Sequence, residues 1–121
     1  MINVKDQVYE KLLEVTENVS DLYPNDWANF PAIQYTEEDN SVITKTDEQE
    51  QLANLRYRID IWDSGSTSQT ALAVDAAISA LGLTRTFCQD IADPTGLRHK
   101  TMRYEGIIDV NDEVVYWNGS R

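Results

Sequence analysis

The chain is 121 residues long and 41% hydrophobic, with 21 acidic against 10 basic side chains and a formal net charge of −11. That length predicts one domain, and six tyrosines and three tryptophans with this apolar content exclude a disordered polymer. The charge excludes a protein that holds duplex DNA by neutralising its phosphates, and the single cysteine, Cys88, excludes an intrachain disulfide or a cysteine metal cluster.

Met1 to Tyr9 reads as the start of an amphipathic helix rather than a secretion signal, and no apolar run approaches membrane-spanning length. The expected location is therefore the cytosol in which the chain is made. Asn3 is the predicted cap of a helix running to about Asn18. Val4, Val8, Leu12, Val15 and Val19 fall on one arc of it, and Asp6, Glu10, Glu14 and Glu17 on the opposite one. A solvated acidic face is the plain reading of those four carboxylates.

Tyr23 to Pro31 cannot continue a helix, because Pro24 and Pro31 each restrict the residue before them, and its aromatics predict a loop pinned to the core. Ala32 to Glu37 alternates as a short strand with Ile33 and Tyr35 inward. Asp39-Asn40 is expected to turn the chain into a second strand, Val42 to Thr46. From 37 to 50 the acids Glu37, Glu38, Asp39, Asp47, Glu48 and Glu50 face one lysine, which marks an acidic hairpin or loop protected from stray pairing.

Leu55 to Trp62 carries the clearest period of two. Leu55, Tyr57, Ile59 and Ile61 alternate with Arg56, Arg58 and Asp60, as in a strand with one buried face. Arg56 and Arg58 are placed to neutralise hairpin carboxylates across the sheet. Ser64 to Ser68 forms a turn-rich connector into a helix over Gln69 to Leu81, which Gly82 ends. That helix is apolar nearly all round. Either it is sandwiched inside the domain or its alanine face packs on another subunit; alanine, the best helix former, does not decide between them.

Leu83 to Ile91 is the next expected strand, with Phe87, Gln89 and Ile91 on one side and Thr86, Cys88 and Asp90 on the other. Asp93-Pro94-Thr95-Gly96 turns the chain into a long strand, Leu97 to Val110, in which Gly106 is expected to mark a bulge or bend. Asn111-Asp112 then leads to an apolar ending, Glu113 to Trp117. The predicted class is α+β, a mainly antiparallel sheet against two helices in the order α-β-β-β-α-β-β, in a single domain.

Catalytic chemistry is disfavoured by what is missing. His99 is the sole histidine, and a Cys88–His99 nucleophilic pair on neighbouring strands lacks a third, orienting residue. Asp109 to Glu113 lacks the order of a calcium loop, and the five glycines form no phosphate-binding loop. No cofactor or metal site is expected.

Arg58-Ile59-Asp60-Ile61-Trp62-Asp63 leading into Ala71-Leu72-Ala73-Val74-Asp75-Ala76-Ala77-Ile78-Ser79-Ala80-Leu81-Gly82 resembles the tail terminator (tail completion) proteins of long-tailed bacteriophages. Leu83-Thr84-Arg85-Thr86-Phe87 and Arg98 to Gly106 extend the likeness through the later strands, and the element order extends it over most of the chain. The resemblance implies a hexameric ring that caps the tail tube, stops its growth and offers the head a docking surface, with no reaction and no cofactor. It places the protein in the tail-neck region of a virion, and in the host cytoplasm during assembly.

On that reading Ala73, Ala77 and Ala80 pack subunit on subunit, and Glu37, Glu38, Asp39, Asp47, Glu48 and Glu50 meet the tail tube protein. Asp6, Glu10, Glu14 and Glu17 face the lumen or solvent, where like charge lets DNA pass without adhering. The implied partners are copies of itself, the tail tube protein and a head-completion or connector protein, without specific nucleic-acid binding or a membrane. Another neck protein, such as a head-completion or connector protein, and a small acidic binding module are the competing expectations.

Overall fold

The structure, a computed structural model, describes residues 3–46, 49–109 and 114–116. Its elements in chain order are α1 (Lys5–Leu13), β1 (Val19–Ser20), β2 (Ala32–Thr46), β3 (Gln49–Asp63), α2 (Ser68–Ser79), β4 (Thr84–Ile91), β5 (Arg98–Asp109) and β6 (Val114–Tyr116). The strands make one sheet in the order β1-β2-β3-β5-β4, with β6 paired to β5. All pairings are antiparallel except the two-residue β1–β2 contact. The predicted α+β class is the observed one.

The alternation in β3 sets the two sides of the sheet. Leu55, Tyr57, Ile59 and Ile61 are buried with Ile33 and Tyr35 of β2 and Met102, Tyr104 and Ile108 of β5. The helices close this side, α1 through Val4, Val8 and Leu12 and α2 through Val74 and Ile78. A side chain such as Ile78, stripped of water here, contributes about 2 kcal/mol. Among the described residues, the other side of the sheet carries no helix.

Several expected boundaries differ. α1 ends at Leu13 rather than near Asn18, because polar side chains there bond the following loop instead of a helical turn. Thr16 Oγ1 donates to the Pro31 carbonyl at 3.1 Å, and Asn18 Nδ2 donates to the carbonyls of Asp26 and Asn29 at 3.0 and 2.8 Å. Asp39-Asn40 is no turn. The chain runs straight on as β2, with a bulge between Glu37 and Asp39, and the expected turn gives way to pairing with Arg56 and Leu55. Gly106 is no bulge either; it pairs in register with Leu55 and is buried. Asn111-Asp112 lies outside the described residues.

The loop after α1 is pinned, as expected, but to Trp62 at the uncovered end of the sheet. Trp27 meets Trp62 edge-on at 5.8 Å and Tyr23 does so at 5.6 Å. Gly82 (φ 96°) closes α2 and Gly96 (φ 87°) closes the β4–β5 turn, conformations that cost glycine no Cβ clash.

Two phenols lock the helix side to its rim. Tyr57 donates to Glu37 at 2.5 Å, and Tyr104 donates to Asp75 of α2 at 2.8 Å. Burial first, and the adjoining carboxylate second, raise both phenols well above the usual tyrosine range. A phenol that holds its proton more tightly when folded stabilises the fold at every pH below its unfolded value of about 10, and that stabilisation is lost as pH climbs past it. The double variant Tyr57→Phe, Tyr104→Phe is therefore expected to lose about 2 kcal/mol at neutral pH. It should also unfold less steeply in alkali than the parent, as followed by circular dichroism. An unchanged alkaline slope would show that these phenols are not its cause.

Candidate functional site

The uncovered side of the sheet is built by the even positions of β3 with their neighbours, and its centre is a carboxylate among three guanidinium groups. Without a bulge, β2 would point Glu38 and Glu37 to opposite sides and continue in strict alternation. The bulge lets Glu38 and then Asp39 share the side opposite Arg56. Glu38 Oε1 accepts from Arg56 Nε at 3.3 Å and Arg103 Nε at 3.0 Å, while Oε2 accepts from Arg58 at 3.5 Å. With its side chain 17% exposed and three cations around it, Glu38 serves to hold three strands together.

Next along β3 is Asp60, 5% exposed. Its Oδ2 accepts from Arg58 Nε at 3.0 Å and its Oδ1 accepts from Thr101 Oγ1 at 2.6 Å. His99 Nε2 lies 2.9 Å from the same Oδ1, and the imidazole stacks on Trp62 at 4.3 Å. Around these residues is a shallow depression of about 460 Å³, walled on the β4 side by Phe87, Gln89 and Ile91. Arg103 lies over the Phe87 ring at 5.0 Å.

Cys88 and His99 do lie on paired strands, but on opposite sides of the sheet. Cys88 is opposite Met102, and Ile91 is opposite His99. The cysteine is exposed on the helix side near Tyr104, while the histidine is bound to Asp60. They cannot act as nucleophile and base. The hydroxyl beside His99, that of Thr101, donates its hydrogen bond to Asp60 instead. What this arrangement does chemically is orient donors rather than activate a nucleophile.

Of the residues singled out for contact with partners, Asp6, Glu10, Glu14 and Glu17 are all exposed on and just after α1. Glu37 and Glu38 face inward interactions, with Tyr57 and with the arginines. Asp39 accepts from Ser41 Oγ at 3.2 Å. Asp47 and Glu48 lie outside the described residues. Glu50 pairs through its backbone with Lys45 and its side chain also lies outside them. The acids are therefore not one set.

Beyond the Leu52–Asp109 pairing, where β5 ends against β3, the β2–β3 hairpin projects as an arm. Val42 and Ile43, just short of that pairing on β2, are each 46% exposed.

On α2 the sandwiched alternative does not occur. Val74 and Ile78 reach the core, whereas Ala73, Ala76 and Ala80 are exposed, Leu72 is 67% exposed, and Ala77 is half-buried between the two faces. Sequence reasoning missed Arg103 as the third cation on Glu38 and the Asp60–His99–Thr101 cluster. Only the register between β3 and β5 brings them in, over separations of 65, 39 and 41 residues.

Glu38→Gln leaves three guanidinium groups facing one another with a neutral amide. The expected cost is about 2 kcal/mol in denaturant unfolding, smaller in high salt, where the cations are screened. A loss that did not change with salt would point to packing instead of charge.

No family model matches the sequence, and no curated protein does. Among solved structures the chain is similar to one described as "Virion of native gene transfer agent (GTA) particle". The TM-score is 0.57 at 16% identity, over 81% of this chain and 88% of that one. At that identity the likeness is one of fold.

Proposed function

We propose that this chain is a non-enzymatic structural protein of a phage-like virion, and within that class a tail terminator. It forms a ring on the head-proximal end of the tail tube, ends tail growth and gives the head its docking surface. The observation that carries this reading is the fold shared with a virion chain over most of both lengths. The bacteriophage resemblance in β3, α2 and β4 points the same way from the sequence.

Three surfaces have roles in it. The exposed Ala73 and Ala80, with Ala77 at their margin, pack against a neighbouring copy, and a strongly acidic protein with a bare apolar helix face has reason to cover it. The β2–β3 arm meets the tail tube protein. Because Glu37 and Glu38 are engaged within the fold, the contact falls to the arm beyond the Leu52–Asp109 pairing, with Asp47, Glu48 and Glu50 of the sequence as its acids. Asp6, Glu10, Glu14 and Glu17 form an acidic surface toward the lumen or solvent, past which DNA slides without adhering. The head side is met by a head-completion or connector protein.

A fold shared with a virion chain also fits another neck protein of such particles, and the two readings differ in phenotype. Electron microscopy of a lysate lacking the gene is expected to show overlong, uncapped tails. Normal-length tails beside unjoined heads would transfer the assignment to a connector. For the subunit contact, Ala73→Glu with Ala80→Glu is expected to leave the melting temperature unchanged while sedimentation shifts from assembled to single chains. Assembly that survives both charges would remove α2 from the interface.

A further inference from the structure

We propose that copies of this chain join head to tail by extending the sheet, the free edge of β4 in one copy pairing with the outer edge of β2 in the next. The inference rests on the ring reading above and names the surfaces that make the ring.

Among the described strands, β4 is held from one side only. Arg85 to Ile91 are exposed on both of its faces, α2 reaches them only through the Asp75–Arg85 ion pair, and the strand contains neither proline nor lysine to guard its edge. Past the bulge at Arg85/Phe87 it offers a regular run to Ile91, with Phe87 and Ile91 each 37% exposed. At the opposite edge, β1 covers only Ile33 and Gln34 of β2. The described strands place nothing beyond β2 past that point.

The two edges suit one another in direction. β2 runs against β3, β3 against β5 and β5 against β4, so β4 is antiparallel to β2. A second copy rotated about an axis along the strands keeps its orientation. It therefore presents β2 antiparallel to β4, with its helices on the same side of the extended sheet. Such a contact joins unlike surfaces and propagates, which is what a cyclic ring requires.

Charge favours the same pairing. Residues 3–46, which supply α1, β1 and β2, carry nine acids against three lysines, whereas residues 84–109, which supply β4 and β5, carry four of each sign. Pairing β2 with itself would set two acid-rich edges against each other, whereas pairing β4 with β2 sets the acid-rich edge against one of balanced charge. Phe87 and Ile91 on one edge and Val42 and Ile43 on the other are the exposed apolar groups this contact takes from water.

Cys88, exposed midway along β4 and the only cysteine, is a built-in reporter. Cross-strand neighbours have Cβ atoms about 5 Å apart, within disulfide reach after small adjustment. With Ser41→Cys, opposite Asn54 on the other side of the sheet, as the control that should not link, Asn40→Cys and Val42→Cys, which share the helix side with Cys88 because they pair with Leu55 and Ala53, are introduced one at a time and oxidised mildly in the full chain. At least one is expected to give a ladder of linked dimers, trimers and larger species that Cys88→Ala abolishes.

Linked dimers in the parent chain would mean that β4 pairs with itself, and would overturn the proposal. Absence of any ladder from a chain that sediments as an assembly would overturn the edge contact and leave the ring standing. A chain that stays single at all concentrations, with no ladder, would overturn both.

Discussion

A strand through the middle of a small sheet must put alternate side chains into apolar packing and into a polar setting, and β3 does this from Ala53 to Ile61. Everything else is arranged by that division. On one side Leu55, Tyr57, Ile59 and Ile61 demand cover, which α1 and α2 provide. On the other, Arg56, Arg58 and Asp60 demand polar partners, which β2 provides through Glu38 and β5 through His99 and Thr101, while Arg103 of β5 joins the arginines on Glu38. Half-buried ions held this way contribute less to stability than their number suggests, but they penalise a slipped register, since a shift of one residue would send guanidinium groups into the core.

The ionic side also explains how a chain with so many acids organises itself. Three of its six arginines converge on one carboxylate, and around α1 and β1 the acids are offset by lysines, Lys5 on Asp21 and Lys11 on Glu14.

The bare parts of the molecule are at its two lateral margins. α2 has an apolar stripe through Leu72, Ala73, Ala76 and Ala80 that no part of the described chain covers, and beside it β4 is exposed on both faces. Asp75 links the two, bonding both Arg85 of β4 and Tyr104 of β5. Helix stripe and strand edge thus belong to one continuous margin, and the proposed ring contact uses both.

By itself the sequence determined the class of fold, the identity of the central strand, the existence of both helices and the side of β3 that is dry, because each follows from a period in adjacent residues. It also placed Arg56 and Arg58 opposite hairpin carboxylates. Where β2 turns, where α1 stops and which acids stay free were decided only by tertiary structure. A bulge in place of a turn at Asp39-Asn40, and the capture of the 26–31 loop by Thr16 and Asn18, depend on partners distant along the chain. The same holds for Arg103 on Glu38 and for the separation of Cys88 from His99: strand register fixes both, and register is a relation between segments that no local pattern contains.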